Sequence, residues 1–216
     1  MTFHGWTDAA LDFYEGLEVD NSRAYWHSHK NVYDEQVVGP MRALLDELSD
    51  EFGEAKIFRP HRDIRFSSDK TPYKTQVGAT LAGHGYVQLS ADELAVASGN
   101  YVFAADQLAR YRRAVALDLP GEALVKIVDV ARAAGLTITA AGTLTTAPRG
   151  YPKDHARIEL LRMKGLVTWR QWPVETWLGT ATAKVKVVAV LRASIPMVQW
   201  LDVHVGASET ERSFRG

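Results

Sequence analysis

The chain has 216 residues, 46% of them hydrophobic and 24% charged, with 25 basic side chains against 26 acidic ones and a net charge of −1. This is an ordinary globular composition, long enough to bury a sizeable core, and it argues against a chain disordered throughout. With no cysteine, disulfides, thiolate nucleophiles and cysteine-ligated zinc are excluded. Met1–Trp6 carries no basic segment followed by an apolar run, and no stretch reaches membrane-spanning length. The expectation is therefore a soluble cytoplasmic protein without a membrane partner.

The first part of the chain reads as helices. Thr7 is a candidate N-cap for a segment in which Ala10, Phe13, Tyr14 and Leu17 form a stripe. Asn21 or Ser22 can cap a second segment carrying Trp26, His29, Tyr33 and Val37. Gly39-Pro40 should break the pattern and restart it, with Met41, Leu44, Leu45, Leu48 and Phe52 at helical spacing. From Ile57 to about Tyr101 the period changes to two. Runs at 57–66, 73–81, 86–89 and 94–98, separated by polar or glycine-rich turns, predict an antiparallel meander. Helices return at 105–117 and 120–134, the second ending at Gly135, and a short strand follows at 136–140. In the last third the pattern predicts a strand at 165–172, a short helix at 173–178, and two helices at 181–192 and 196–205 separated at Pro196. The whole reads as one α+β domain over 1–206, an antiparallel sheet packed by N-terminal, central and C-terminal helices, with a flexible tail at 207–216.

Charge is not spread evenly over this framework. Between residues 56 and 76 lie Lys56, Arg59, Arg62, Arg65, Lys70 and Lys74 against only Asp63 and Asp69, a concentration that points to a site for something anionic. On a strand, Phe58, Pro60, Arg62, Ile64 and Phe66 share one face, and Arg59, His61, Asp63 and Arg65 share the other. Arg62 then falls on the apolar face and requires either a carboxylate or a bound anion. Asp63 can hold Arg59 or Arg65 and leave the other to donate to a ligand. Residues 67–72 are turn chemistry, with Pro72 pushing Thr71 to extended geometry. Free amides in that turn, with Lys70 and Lys74, would suit phosphate or carboxylate oxygens. The competing reading is that these arginines only brace a sheet through internal ion pairs.

The run Phe58-Arg-Pro-His-Arg-Asp-Ile-Arg-Phe-Ser-Ser-Asp-Lys-Thr-Pro-Tyr-Lys74 resembles the signature of a bacterial and fungal family known as domain of unknown function 2461. Asp20-Asn21-Ser22-Arg23-Ala24-Tyr25-Trp26 followed by His29-Lys30 is similar to that family's Asn-rich turn and aromatic helix. Pro148-Arg149-Gly150-Tyr151-Pro152-Lys153-Asp154-His155 leading into Ile158-Glu159-Leu160-Leu161 is similar to its second signature. The three motifs occur in order and cover nearly the whole chain. One departure is Ser68, where the family usually has lysine. The resemblance implies relatives rather than a reaction.

In the second signature Asp154 is expected to cap a helix through Ile158, Leu161 and Arg162. Arg149 and Gly150 beside that helix start would suit an anion, or would only shape a connection. Familiar catalytic motifs are absent: no Gly-x-Ser-x-Gly, His-Glu-x-x-His or phosphate-binding glycine loop occurs, and no histidine set has metal-ligand spacing. No cofactor or metal is implied, and oligomeric state is not encoded in these patterns. Candidates for acid–base chemistry are His61, Asp63 and His155. Candidates for ligand binding are Arg59, Arg62, Arg65, Lys70, Tyr73, Lys74, Arg149, Tyr25 and Trp26. Together they suggest a small anionic, phosphorylated ligand. The alternatives are a nucleic-acid module stacking bases on Tyr25, Trp26 and Tyr73, which the pI near 6.7 disfavours, and a structural or interaction protein with internally paired arginines.

Overall fold

The computed structural model describes residues 2–63, 65, 69–82 and 84–209. Of these, 2–96 with 171–189 form one compact unit and 97–170 with 190–209 a second. The strands are β1 (Ala55–Ile57), β2 (Gln76–Leu81), β3 (Gly85–Ser90), β4 (Glu93–Asn100), β5 (Thr137–Thr139) and β6 (Leu166–Pro173). They form one antiparallel sheet in the order β1, β2, β3, β4, β6, β5, flanked by helices, so the fold is α+β.

In the first unit the apolar stripes do what their spacing predicts. Helix α1 (Asp8–Val19) buries Ala10, Phe13, Tyr14 and Leu17. Thr7 stands at its N-cap, but the hydroxyl donates to Gln36 Oε1 at 3.0 Å rather than capping. Ser22 caps α2 (Arg23–Val32) by accepting from the Tyr25 N–H at 3.1 Å. The break expected at Gly39-Pro40 is instead a widening. Helix α2 passes through one π-helical turn (Tyr33–Val38) into α3 (Gly39–Phe52), and the Gly39 N–H reaches back five residues to Asp34 O. Pro40 has no N–H to donate to an i−4 carbonyl and its ring crowds that carbonyl, so the wider turn absorbs the misfit.

Helix α3 buries Met41, Leu44, Leu45 and Leu48 and packs on β1 and β2. The sheet contributes Val77, Ala79, Leu81, Val87 and Leu89, the alternate positions of β2 and β3. Each large apolar side chain so buried stabilises the fold by about 1.5–3 kcal/mol. The N-terminal segment is fixed by the Trp6 N–H donating to Leu178 O at 3.0 Å. Gly5 has φ +104°, and a Cβ there would lie 2.3 Å from the backbone of Gly179 and Thr180, so only glycine fits this crossing.

The second unit packs α4 (Ala105–Ala116), α5 (Asp118–Ala133) and α6 (Ile158–Arg162) around Tyr111, Leu124, Val128, Leu161 and Leu166. Met197, Trp200 and Leu201 of α7 (Thr182–His204) complete that core. Two helices were expected around Pro196, yet α7 is one helix with the proline inside. Apolar residues buried on both sides of it, Val187 and Leu191 before and Met197 and Leu201 after, outweigh one lost backbone bond.

Helix α6 has five residues, and Asp154 does not cap it: its N-cap position is Arg157, without a side-chain cap, and His155 Nδ1 accepts the Arg157 N–H at 3.0 Å. Two arginines of α4 bond to backbone carbonyls, Arg110 donating to Val205 O and Ala207 O and Arg112 to Leu161 O. Asp106 accepts from the Glu209 N–H at 2.8 Å and the Ser208 hydroxyl at 2.9 Å. The segment through Glu209 is thus tied to α4, and the rest of the expected tail lies outside the described residues.

Among the described residues no helix is long and apolar enough to cross a membrane. One buried hydroxyl, Tyr14 Oη, has no hydrogen-bond partner among the described residues, whereas Tyr111 Oη donates to Leu160 O at 2.9 Å. Tyr111→Phe should therefore lower stability by about 1 kcal/mol, or roughly 2–4 °C in melting temperature. Tyr14→Phe should leave the melting temperature unchanged or raise it, and a fall as large as that of Tyr111→Phe would contradict the assignment.

Candidate functional site: the cationic hairpin end

The strand expected over 57–66 stops at Ile57 and, among the described residues, resumes only as an isolated bridge between His61 and Tyr73. Ile57 pairs with Ala79, but His61 pairs with Tyr73. Between these pairs three residues on one chain therefore face five on the other, and Pro60 lies within the interval. The offset is two residues, so the alternation of faces survives it, and the pairs Ile57–Ala79 and His61–Tyr73 put the odd-numbered residues on the side of the buried Ala79 and Tyr73, the reverse of the expectation that gave Phe58 and Arg62 the apolar face. Arg62 consequently does not sit among buried apolar side chains; it is half-exposed, and Nη1 donates to Asp69 Oδ2. Ile64 and Phe66, the end of the expected strand, and Ser67 and Ser68 of the turn lie outside the described residues.

Backbone bonds flank the bridge on both sides. The Arg62 N–H donates to Pro72 O at 2.9 Å and the Lys74 N–H to Pro60 O at 2.8 Å. In that pattern His61 and Tyr73 form the non-hydrogen-bonded pair, whose own N–H and C=O groups point away from each other's strand. Asn21 satisfies both groups of Tyr73: Nδ2 donates to Tyr73 O at 3.1 Å and Oδ1 accepts from the Tyr73 N–H at 3.0 Å. Because Ser22 is the cap of α2, the Asn21 amide is available for this role. Trp26, one helical turn on, stacks on the Tyr73 ring at 4.3 Å and 7°.

Trp26 and Tyr73 are 4% and 3% exposed, so each covers the other's face. The exposed His61 ring leans on this pair, 5.1 Å from Tyr73 and 6.2 Å from Trp26. Tyr25 donates to Phe13 O at 3.0 Å and stacks on His29 at 4.0 Å. Its hydroxyl lies over Gly16, where a Cβ would sit 2.1 Å away.

The cations divide into two groups. Arg65 grips Asp63 with two prongs, Nε at 2.9 Å and Nη2 at 2.7 Å. These bonds, with the Arg65 backbone N–H, hold the Asp63 carboxyl down to about 2. Asp69 accepts the backbone N–H and hydroxyl of Thr71 at 2.9 and 2.8 Å. Thr71 foremost, then Arg62, holds the Asp69 carboxyl below the usual range. Arg59 and Lys74 form the other group, since neither has a carboxylate within ion-pair distance among the described residues. Lys74 Nζ lies 5.4 Å from the Phe58 ring centroid. Partial burial, then the charges of Arg59 and Arg62, push its ammonium below the usual lysine range. Lys70 is exposed in the turn.

The hairpin thus brings together Arg59, His61, Arg62, Asp63, Tyr73 and Lys74, with Trp26 beneath. Arg149 and His155 belong to the second unit, where Arg149 is exposed next to Gly150, whose φ is +88°. The five-residue α6 presents no helix terminus long enough to bind an anion there. Among the described residues no three His, Asp or Glu side chains are grouped to hold a metal ion.

A model of the family described as conserved hypothetical proteins, DUF2461, matches residues 9–200. The chain belongs to the DUF2461 family. No curated protein matches it. The DUF2461 match spans every candidate residue from Asn21 to His155. Three residues that shape the site were not singled out as site residues from the sequence: Asn21, Phe58 and Asp69. For Asn21 the available signal was the neighbouring Ser22, a sufficient cap that leaves the amide spare. For Asp69 it was the Asp-x-Thr spacing of an Asx turn.

Because the folded Asp63 carboxyl titrates below an unfolded aspartate, its grip on Arg65 stabilises the hairpin above about pH 3.9 and is lost as pH falls through about 2. A carboxyl-carbon NMR titration of Asp63 should give a midpoint near 2; a midpoint at the ordinary aspartate value would contradict the two-pronged pair.

Proposed function

We propose that this DUF2461 protein binds a small anionic ligand, phosphorylated by preference, at the hairpin end, with Arg59 and Lys74 as its principal charge partners. The observation carrying the reading is the environment of Lys74. It is partly buried against Phe58 and crowded by Arg59 and Arg62, and no carboxylate pairs with it among the described residues. Gathering like charges is unfavourable unless a counter-charge arrives, and an anion would relieve the repulsion and restore the lysine's hold on its proton. Arg62, steadied by Asp69, presents a third guanidinium. Arg65 is engaged by Asp63, which moves the weight of the site from Arg65 to Arg59.

Acid–base chemistry, where the ligand undergoes any, falls to His61 in this reading. Its ring is exposed beside the cations, whereas Asp63 stays ionised in its pair with Arg65. A nucleic-acid module is less well supported, because the stacking faces of Trp26 and Tyr73 are turned to each other in the core.

Calorimetric titration with pyrophosphate tests the reading. Binding should weaken about tenfold or more in Arg59→Ala and in Lys74→Ala, as expected for removing a charge-assisted contact, and should weaken with added salt. Arg65→Ala should change the dissociation constant by less than about threefold on the same grounds. Absence of binding to the wild type, or a loss confined to Arg65→Ala, would overturn it.

A further inference from the structure

The outward face of the β2–β3 hairpin, beside the cations, is unusual for a sheet surface. Register pairs Gln76 with Ser90, Gly78 with Gln88 and Thr80 with Tyr86. These residues alternate with the buried Val77, Ala79, Leu81, Val87 and Leu89, so they share the other side. None is charged. A Cβ at Gly78 would lie 2.9 Å from Tyr86 Oη and 3.3 Å from its Cε2, so the glycine makes room for the tyrosine to lie over the strand. Gln88 Oε1 accepts two hydrogen bonds, from Tyr86 Oη at 2.7 Å and from Gln76 Nε2 at 2.9 Å. Two donors on one oxygen fix the orientation of the Gln88 amide. Among the described residues its Nε2 hydrogens then find no acceptor, and Gln76 Oε1, across the shared bond, no donor.

This network is continuous with the cation cluster. Lys74 Nζ lies over Phe58 at 5.4 Å, and the Phe58 ring is 6.3 Å from that of Tyr86. Phe58 is 38% exposed, and Tyr86, Gln76 and Gln88 are half-buried. Two neighbouring aromatic rings, an amide donor and an amide acceptor on two hydrogen-bonded glutamines, and a cation cluster at one end match a flat heterocycle carrying a phosphate. Paired amide donor and acceptor atoms of this kind complement an amino group next to a ring nitrogen, as on adenine or cytosine. We propose that the ligand of the hairpin site is a mononucleotide, its phosphate on Arg59 and Lys74 and its base on Phe58 and Tyr86 with Gln76 and Gln88 reading the edge. This rests on the anion-binding reading above and specifies its substrate class.

The test compares AMP, CMP, ribose 5-phosphate and pyrophosphate on the wild type, Gln88→Met and Tyr86→Phe, with the melting temperature of each variant recorded. AMP or CMP should bind at least tenfold tighter than ribose 5-phosphate to the wild type. That advantage should shrink to within about twofold in Gln88→Met, while pyrophosphate affinity is unchanged. Tyr86→Phe, which removes the hydroxyl orienting Gln88, should show a smaller loss in the same direction and serves if Gln88→Met does not fold. Pyrophosphate binding without any advantage for the nucleotides, or an advantage that survives in both variants, overturns the mononucleotide assignment and leaves the anion site standing. Failure of all four ligands to bind the wild type overturns both.

Discussion

The geometry of the hairpin depends on one side-chain amide. The register shift after Ile57 leaves Tyr73 outside a regular ladder, with an N–H and a C=O directed away from its partner strand. Asn21 closes both bonds and substitutes for a neighbouring strand at that single residue. An unsatisfied pair of backbone groups beside a buried ring would cost about 1–3 kcal/mol each, so the contact fixes where residues 60–74 can run. Trp26 adds a second constraint from the same helix start by stacking on the ring whose backbone Asn21 holds. The position of Lys74 next to Phe58 and Arg59 follows from these two contacts and the bonds flanking the bridge, because Lys74 is the next residue in the chain.

Much of this architecture is legible in the sequence where packing follows a simple period. The stripes of α1 and α3 and the alternation of β2 and β3 bury the residues their spacing selects. The reading fails where a proline meets a strong apolar pattern. At Pro40 the helix widens and continues, and at Pro196 it continues outright, because burial on both sides outweighs a missing backbone donor. Pro60 works in the opposite direction. It lies where the ladder slips by two residues, and because Ile57 and His61 pair with the buried Ala79 and Tyr73, Arg62 falls on the face opposite to the core rather than on the apolar one.

The site was legible as a concentration of charge but not as an arrangement. Spacing could place Asp63 near Arg59 and Arg65 without choosing between them, and the fold chooses Arg65. It also gives Asp69 a purpose that a charge count misses: by accepting from Thr71 it becomes a fixed anion for Arg62. The aromatic residues read differently once packed. Trp26 and Tyr73 form the floor on which the hairpin rests, and among the described residues the accessible rings near the cations are those of Phe58, His61 and Tyr86. Asn21, the residue on which the arrangement turns, was visible as one of two possible helix caps and as part of a turn resembling the family's, with nothing to show that its amide would hold Tyr73.

The most direct test of this account is hydrogen exchange at the Tyr73 amide. In the wild type that amide should exchange slowly, although it belongs to no regular strand. In Asn21→Ala it should lose its protection while amides of β2 and β3, such as those of Val77 and Val87, keep theirs. A Tyr73 amide that stays protected in Asn21→Ala would show that the hairpin is held in place without Asn21 and would contradict the account.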